Sequence, residues 1–375
     1  MIKKIRRIVT RLLAVIVIIL VVLLTTLNLT WNFFLRPATA ADYSDWMRET
    51  LAGDRRVIDI AMLGAHDAMT SAIRFGSDVD PLSAASIQTG FTGALIKGFS
   101  IKQSKTQMST TAVLLDRGVR YFDVRLTYHE EDAAWYVSHS YFSRPFVEDL
   151  EEIETFLADH PGEFVLIDIQ HVYGVDYAAS IEEFNAIKAL FTDAGILARA
   201  VRDDSGMDLA DLTYDDVTLN QTRGGVMIFS KFAMDDPFFW DYGTSIRSAW
   251  PNTDDAAAAF AFLADEATAI QAGTALTGNQ IADFSSGIDS RQGLRIMQGV
   301  LTMQMTGSGI LSAIGAWSLL TKARIFNAAL IAAAEFPFWL SAMPIVMVDY
   351  ADTNYKSFND DIMAIIVAFN QSTEI

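Results

Sequence analysis

The chain of 375 residues contains no cysteine. That excludes disulfides, thiolate metal sites and cysteine nucleophiles. It assigns no compartment, because an exported protein can fold without disulfides. Histidine is scarce as well, with five in the whole chain, at 66, 129, 139, 160 and 171, so imidazole chemistry has few places to sit. There is no internal repeat and no low-complexity tract beyond the alanine run Ala256–Ala259. Basic residues are a minority: 28 Lys and Arg face 46 Asp and Glu, for a net charge of -18. A general nucleic-acid binder, which works by neutralising phosphates, is not expected from that balance.

One segment lacks the opposite sign. The first 36 residues hold Lys3, Lys4, Arg6, Arg7, Arg11 and Arg36 and no acid, which leaves about -24 on the rest. Such a body should be soluble and repelled by anionic lipid, unless a basic pocket is set into it. Residues 1–11 form a basic, cytoplasmic n-region, 12–29 an apolar segment, 30–41 a linker and 42–375 one large folded body. Leu12–Leu24 is continuously apolar, and with the residues that follow it is long enough to span a bilayer with the basic end held inside. Ala38-Thr39-Ala40 resembles a small-residue cleavage site, so a secretory signal is the alternative. The length of the apolar run favours an uncleaved anchor. Either way the body is expected outside the cytoplasm, membrane-anchored or else secreted or periplasmic.

Strand-like and helix-like segments alternate through the body, the mark of an α/β fold. Strands are expected at Val57–Leu63, Val119–Leu126, Trp135–Val137, Phe164–Ile169, Gly225–Ser230, Leu294–Gln298 and Pro344–Asp349. Helices are expected at Thr110–Asp116, Asp149–His160, Ile181–Ala194, Ser318–Leu340 and near Asp360–Asn370. Phe75–Lys105 reads as a loop insertion with room for one short helix; its part Phe75–Phe99 and the apolar Leu301–Trp317 each read as a lid, a membrane-touching loop or core, with core preferred for Leu301–Trp317. His66, His139, Gln170 and Asp349 each stand at or beyond a strand's C-terminal end, and Asp123 and Arg125 share one face of theirs. Chemistry gathered at C-terminal strand ends is what a (β/α) barrel produces. The stretch from Leu126 to Trp135 is too short for a helical crossover, so a hairpin-like pair and a distorted barrel are expected.

Two histidines and an arginine are a minimal kit for breaking a phosphodiester. One imidazole takes a proton from the attacking oxygen, the other gives one to the leaving oxygen, and the guanidinium holds the phosphate. Each residue also has a plainer reading. His66-Asp67 would serve as a loop cap, Asp123 and Arg125 as a buried ion pair, Asp349 as a second cap. His129 reads as loop, and His160 as a helix C-terminus, where a cation is favoured. The local charge bears on the choice: Lys97 to Arg125 carries six bases and two acids in an otherwise acidic chain, the island an anionic substrate needs.

The pieces occur in a particular order: Ala61-Met62-Leu63-Gly64-Ala65-His66-Asp67, then Ser104-Lys105-Thr106-Gln107, then Leu115–Arg125 with Arg120-Tyr121-Phe122-Asp123-Val124-Arg125, then His139, Phe156–Ile167, Ala249-Trp250-Pro251-Asn252 and Ile345–Asp349. Across about residues 55–370 the chain resembles the X domain of phosphatidylinositol-specific phospholipase C, in its compact single-domain form. The resemblance implies a distorted TIM barrel that cleaves a phosphoinositide-type lipid between glycerol and phosphate, releasing diacylglycerol and a cyclic inositol phosphate. It implies His66 as general base on the inositol 2-hydroxyl, His139 as general acid and Arg125 on the phosphate. Asp349 would orient His66, Asp67 would support His139, and Asp123 would hold Arg125; Asp123, Gln170 and Lys231 are assigned to the substrate. The calcium-dependent branch carries a carboxylate where Arg125 stands, so the resemblance implies no metal and no cofactor. Asp235-Asp236 and Asp254-Asp255 read as loops. Gln170-His171 departs from the family where a charged inositol contact is expected. The implied partners are a phospholipid with an anionic headgroup and, through the N-terminal helix, a membrane. The competing readings are a glycerophosphodiester phosphodiesterase-like barrel, which needs metal carboxylates near its first histidine, and a catalytically silent lipid- or glycan-binding barrel.

Overall fold

The computed structural model describes residues 2–34, 41–82, 97, 100–203, 206–232, 235–274, 292–302, 304 and 318–372; for residues 2, 20, 21 and 23–34 it describes only the backbone. Ten strands are named here in chain order: β1 Met62–Ala65, β2 Val119–His129, β3 Ala134–Ser138, β4 Phe142–Pro145, β5 Phe164–Val172, β6 Gly225–Ser230, β7 Phe239–Asp241, β8 Ile246–Arg247, β9 Leu294–Gly299 and β10 Ile345–Val348. Eight of them pair side by side in the order β7-β6-β5-β2-β1-β10-β9-β8, and every pairing along that path is parallel. The first strand thus lies against the last. The two edges, β7 and β8, are consecutive in the chain and joined by the short helix Tyr242–Ser245. The result is a curled parallel α/β sheet.

The sequence accounts for this. Strands covered on both faces read as continuous apolar runs. All six residues of β6 and all four of β1 and β10 are buried. Helices Phe146–Asp159, Ile181–Asp193, Ala256–Gln271 and Phe358–Gln371 are each buried along part of their length. Helices Thr111–Asp116, Ala256–Gln271 and Leu319–Ala332 start on side-chain caps that satisfy free backbone N–H groups: Thr110 accepts from Val113, Asp255 from Ala258 and Ser318 from Thr321.

The hairpin expected after Leu126 is present. β2 runs on to His129, turns, and pairs antiparallel with β3, with Leu126 opposite Val137; β3 in turn pairs antiparallel with β4. Other boundaries move. Val57–Asp59 is a turn of 3-10 helix, and the strand begins only at Met62. The apolar run expected as one helix over Ser318–Leu340 is two, Leu319–Ala332 and Phe336–Ala342, bent by 91°. Pro337 stands in the first turn of the second piece, where its ring and missing N–H end any continuation from before. The alanine run, read only as a run, is the first turn of helix Ala256–Gln271.

The N-terminal segment is a helix, Ile2–Phe34. Among the described residues no single helix is long and apolar enough to cross a bilayer. Residues 83–96 and 98–99 of the Phe75–Lys105 insertion, and residues 303 and 305–317 of Leu301–Trp317, lie outside the described residues.

Candidate active site

Parallel register places the first two site residues together. Ala65 on β1 pairs with Val348 on β10, so the next residue of each strand, His66 and Asp349, emerges at the same level. Their side chains meet, His66 Nδ1 to Asp349 Oδ1, at 2.8 Å. Gln107 stitches the backbones behind them. Its Nε2 donates to the carbonyls of His66, at 2.9 Å, and Val348, at 3.1 Å, and its Oε1 accepts from Ala351 N–H. Asn327 donates to the Asp349 carbonyl. Gly64, just before, has a packing reason: a Cβ there would lie 3.0 Å from the Tyr121 ring of β2.

β2 brings Tyr121, Asp123 and Arg125 to the same cleft. β3 delivers His139 just past its end, and Ser104 from the insertion fixes that ring, its carbonyl 2.8 Å from Nδ1. A donor is required on Nδ1, which leaves Nε2 to face the site. Asp67 is the hub. Its Oδ2 lies 3.3 Å from His139 Nε2 and 3.6 Å from His66 Nε2, and its Oδ1 is ion-paired with Arg125 Nε. Asp123 lies 3.9 Å from His66 Nε2 and accepts the Asp67 backbone N–H at 3.1 Å. The partner that grips Arg125 most directly is therefore Asp67 rather than Asp123, with the Tyr173 hydroxyl as a further contact. Asp67 (φ 38°), Ser140 (φ 65°) and Tyr350 (φ 53°) all adopt left-handed backbone, so each catalytic-type loop turns sharply within one residue of its side chain.

The charges reinforce each other. Burial works against a charged His66, but Asp67, Asp349 and Asp123 outweigh it and raise it to about 9. Burial likewise opposes ionised Asp67, yet Arg125, His139 and His66 hold its carboxyl well below the usual range. Arg125 is pushed above its ordinary value by Asp67 and Asp123 in spite of burial.

These residues border one cleft of about 520 Å³, whose lining also includes Asp168, Gln170, His171, Tyr173, Tyr242, Ser248, Trp250 and Gln298. Gln170 thus joins the site from within β5, which runs past it to Val172. Lys231 is not among the lining residues. Its Nζ lies 4.7 Å from the ring centroid of Tyr242, which is, and its charge reaches Asp168. Asp168, Tyr242, Ser248 and Gln298 were not singled out from sequence; an acid inside the apolar run Val165–Ile169 was the one readable signal among them. For a metal, His66, Asp67 and Asp123 bring one ligand atom each within 4.8 Å of one another. A hard divalent cation prefers six or more oxygens, and here the guanidinium of Arg125 already takes one of the carboxylates.

No protein-family model matches the chain. Among curated proteins it is 29% identical over 230 residues to PI-PLC X domain-containing protein 3 of Danio rerio, covering 59% of this chain and 68% of that one. The human protein of that name is similarly 29% identical over 229 residues. The chain is thus similar to the PI-PLC X-domain proteins. A variant-surface-glycoprotein phospholipase C of Trypanosoma cruzi is 30% identical over 148 residues, covering 37% of this chain and 39% of that protein. Among solved structures, the phosphatidylinositol-specific phospholipase C of Listeria monocytogenes superposes with a TM-score of 0.53 at 16% identity, over 88% of this chain and 100% of that one. A mutant of the Staphylococcus aureus enzyme gives 0.53 at 14%, over 86% and 97%. At such identities the likeness to these structures is one of fold, and it places the curled sheet of this chain with theirs.

Proposed function

We propose that the protein is a phosphatidylinositol-specific phospholipase C-like phosphodiesterase, acting on a phosphoinositide-type lipid through a distorted TIM barrel. The observation that carries this reading is the arrangement of His66, His139 and Arg125 around the single carboxylate of Asp67. His66, oriented by Asp349, takes the proton of the headgroup hydroxyl that attacks phosphorus. His139, its Nδ1–H held by the Ser104 carbonyl, delivers a proton from Nε2 to the departing diacylglycerol oxygen. Arg125 neutralises the charge that develops on the phosphoryl oxygens. The products are diacylglycerol and a cyclic inositol phosphate. Asp67 keeps the two imidazoles and the guanidinium in register, and Asp123 braces Asp67 through its backbone.

The reading includes metal independence, since Arg125 supplies the positive charge. It also includes anchoring by helix Ile2–Phe34 with the barrel outside the cytoplasm. What supports the anchor is exposure: among the described residues, the apolar side chains of Ile5, Ile8, Leu12 and Val15 to Ile19 are about half exposed, Ile18 at 61%. The cluster of His66, Asp67 and Asp123 favours a second reading, a metal-assisted phosphodiesterase of the glycerophosphodiester kind.

One experiment separates them. The full chain is supplied with phosphatidylinositol in mixed micelles containing EDTA, beside His66→Ala and His139→Ala. Diacylglycerol release by the wild type is expected, falling by about 10²–10⁴ in each variant. Release that requires an added divalent cation would transfer the support to the metal-assisted reading. No release from any phosphodiester, with or without metal, would leave a binding barrel.

A further inference from the structure

His139 has little of its own to fix it. Its side chain is 25% exposed and meets the Asp67 carboxylate at Nε2 and the Ser104 carbonyl at Nδ1. Its backbone N–H donates to the carbonyl of Tyr141, two residues on, at 3.2 Å. The next residue, Ser140, stands in left-handed backbone. The place of this imidazole is therefore set by its neighbours in the chain, and both neighbours lead to one residue.

That residue is Asp80, wholly buried, in the Phe75–Lys105 insertion. Residues 78–80 run antiparallel beside 140–142: the Asp80 N–H donates to the Ser140 carbonyl at 3.0 Å, and the Phe142 N–H to that of Asp78. The Asp80 carboxylate takes three donors. Oδ2 accepts from the Ser138 hydroxyl and, at 2.6 Å, from that of Thr127, and Oδ1 accepts from the Leu82 N–H at 2.9 Å. The side chain thus grips the residue before His139, and the backbone grips the residue after it.

The same insertion fixes the ring. Ser104 Oγ donates to the Ser100 carbonyl at 3.0 Å, and the Ser100 and Tyr141 hydroxyls are hydrogen-bonded to each other. Tyr141 is fully buried against Ile73 and Ile101, in a small core separate from that of the barrel. His66 is oriented by other groups, Asp349 on its ring and Gln107 on its carbonyl. A buried aspartate that only anchored a loop would have no reason to bracket one imidazole and leave the other alone.

Resting on the phosphodiesterase reading, we propose that Asp80 is a positioning residue for the general acid: through Ser138 and Ser140 it sets where His139 Nε2 stands, and so governs proton delivery to the departing oxygen. As the P–O bond breaks, its electron pair stays on the leaving oxygen and the His139 Nε2 proton joins it there. A diacylglycerol oxygen needs that proton, whereas a nitrophenolate leaves as a stable anion without it. A displaced His139 therefore slows loss of the first and not of the second, and a misplacement of about 1 Å costs up to about 100-fold.

The full chain in detergent micelles is compared with Asp80→Ala, Asp80→Asn and Ser138→Ala on two substrates, phosphatidylinositol and the para-nitrophenyl ester of myo-inositol phosphate. Ser138→Ala cuts the link to the His139 strand and leaves the Asp80 carboxylate its other two donors, so it tests the idea even where Asp80→Ala folds poorly. Asn keeps an oxygen for the Leu82 N–H, and its amide can donate to both hydroxyls, so it should rescue. On phosphatidylinositol, kcat should fall about 10–100-fold with Asp80→Ala, about tenfold with Ser138→Ala and no more than about twofold with Asn. On the nitrophenyl ester no variant should lose more than about twofold. Equal losses on both substrates, an Asn variant as weak as Ala, or an unchanged kcat on phosphatidylinositol in either alanine variant would each overturn the proposal. Nitrogen NMR of histidine-labelled protein adds a readout without turnover. The His139 Nδ1–H resonance, identified by its loss in His139→Ala, should broaden or vanish in both alanine variants while those of His66 persist. If the wild type cleaves neither substrate, the phosphodiesterase reading falls by itself; a His139 resonance unchanged in both alanine variants sinks the role of Asp80 alone.

Discussion

Two arginines stand five residues apart on β2, and the molecule treats them in opposite ways. Arg120 points away from the cleft and is wholly buried. Its Nε and Nη2 pair with Glu163, Nη1 donates to the carbonyls of Leu115 and Val119, Nη2 to those of Tyr43 and Ser44, and the plane lies 4.6 Å from the ring of Phe156. Every nitrogen is engaged, and burial holds the group below its ordinary pKa. Arg125, with a side chain 24% exposed, engages Asp67 and Tyr173 and borders the cleft. Acids surround it in excess and raise its pKa instead. A saturated guanidinium holds strands and helices together. An unsaturated one, in surplus negative surroundings, is set up for an anion that has yet to arrive.

The contrast is broken most directly by removing each in turn. Arg125→Ala should lower kcat/KM on phosphatidylinositol by about 10²–10³, the usual cost of losing one charge-stabilising group, with a smaller loss of stability than the Arg120 variant shows, because Asp67 keeps His66 and His139 beside it. Arg120→Ala should do the reverse. It leaves Glu163 buried and unpaired, at a cost of about 3–5 kcal/mol seen in urea unfolding, while activity per folded molecule persists. An Arg120 variant of normal stability and no activity would defeat the distinction. Arg120→Met with Glu163→Leu sharpens it: with both charges gone, stability should recover to within about 1–2 kcal/mol of wild type, because the pair's desolvation cost disappears with it.

How much of this was readable beforehand follows the length of each signal. His66 and Asp349 follow apolar runs of four or more residues, and Asp123 and Arg125 alternate on one face of a mostly apolar stretch, so their strands were visible and their convergence followed from the parallel layout. β4, β7 and β8 have four, three and two residues, too few for any periodicity to register. The sheet's seam at β7 and β8 was therefore invisible, and so were Tyr242 and Ser248 beside it. The helix Ala256–Gln271 was legible and passed over: Asp255 is an N-cap residue before four alanines, the best helix formers. Asp67 as the hub was out of reach. Sequence spacing pairs Asp123 with Arg125 two residues away, whereas the ion pair forms across strands to a loop residue in left-handed backbone.

The smallest effect tests whether the cleft is charged as described. His66 carries a pKa of about 9 against an ordinary value near 6.5, because three carboxylates outweigh its burial. A raised folded-state pKa stabilises the fold fully below the unfolded value and loses that contribution as pH rises through the folded one. Unfolding free energy should therefore decline between pH 6.5 and 9 by at most about 3.5 kcal/mol, at about 1.4 kcal/mol per unit. His66→Asn should flatten that slope. The same window governs the chemistry with the opposite sign. A general base works only when deprotonated, so kcat/KM should rise as pH passes above 7 while stability falls, until loss of the proton that His139 must deliver ends the rise. In the free site the three acids that orient His66 also keep it charged. If turnover peaks near pH 6 and the stability slope is absent, the three acids do not act together on His66. If the slope is present and the rate still peaks near pH 6, His66 is not the base.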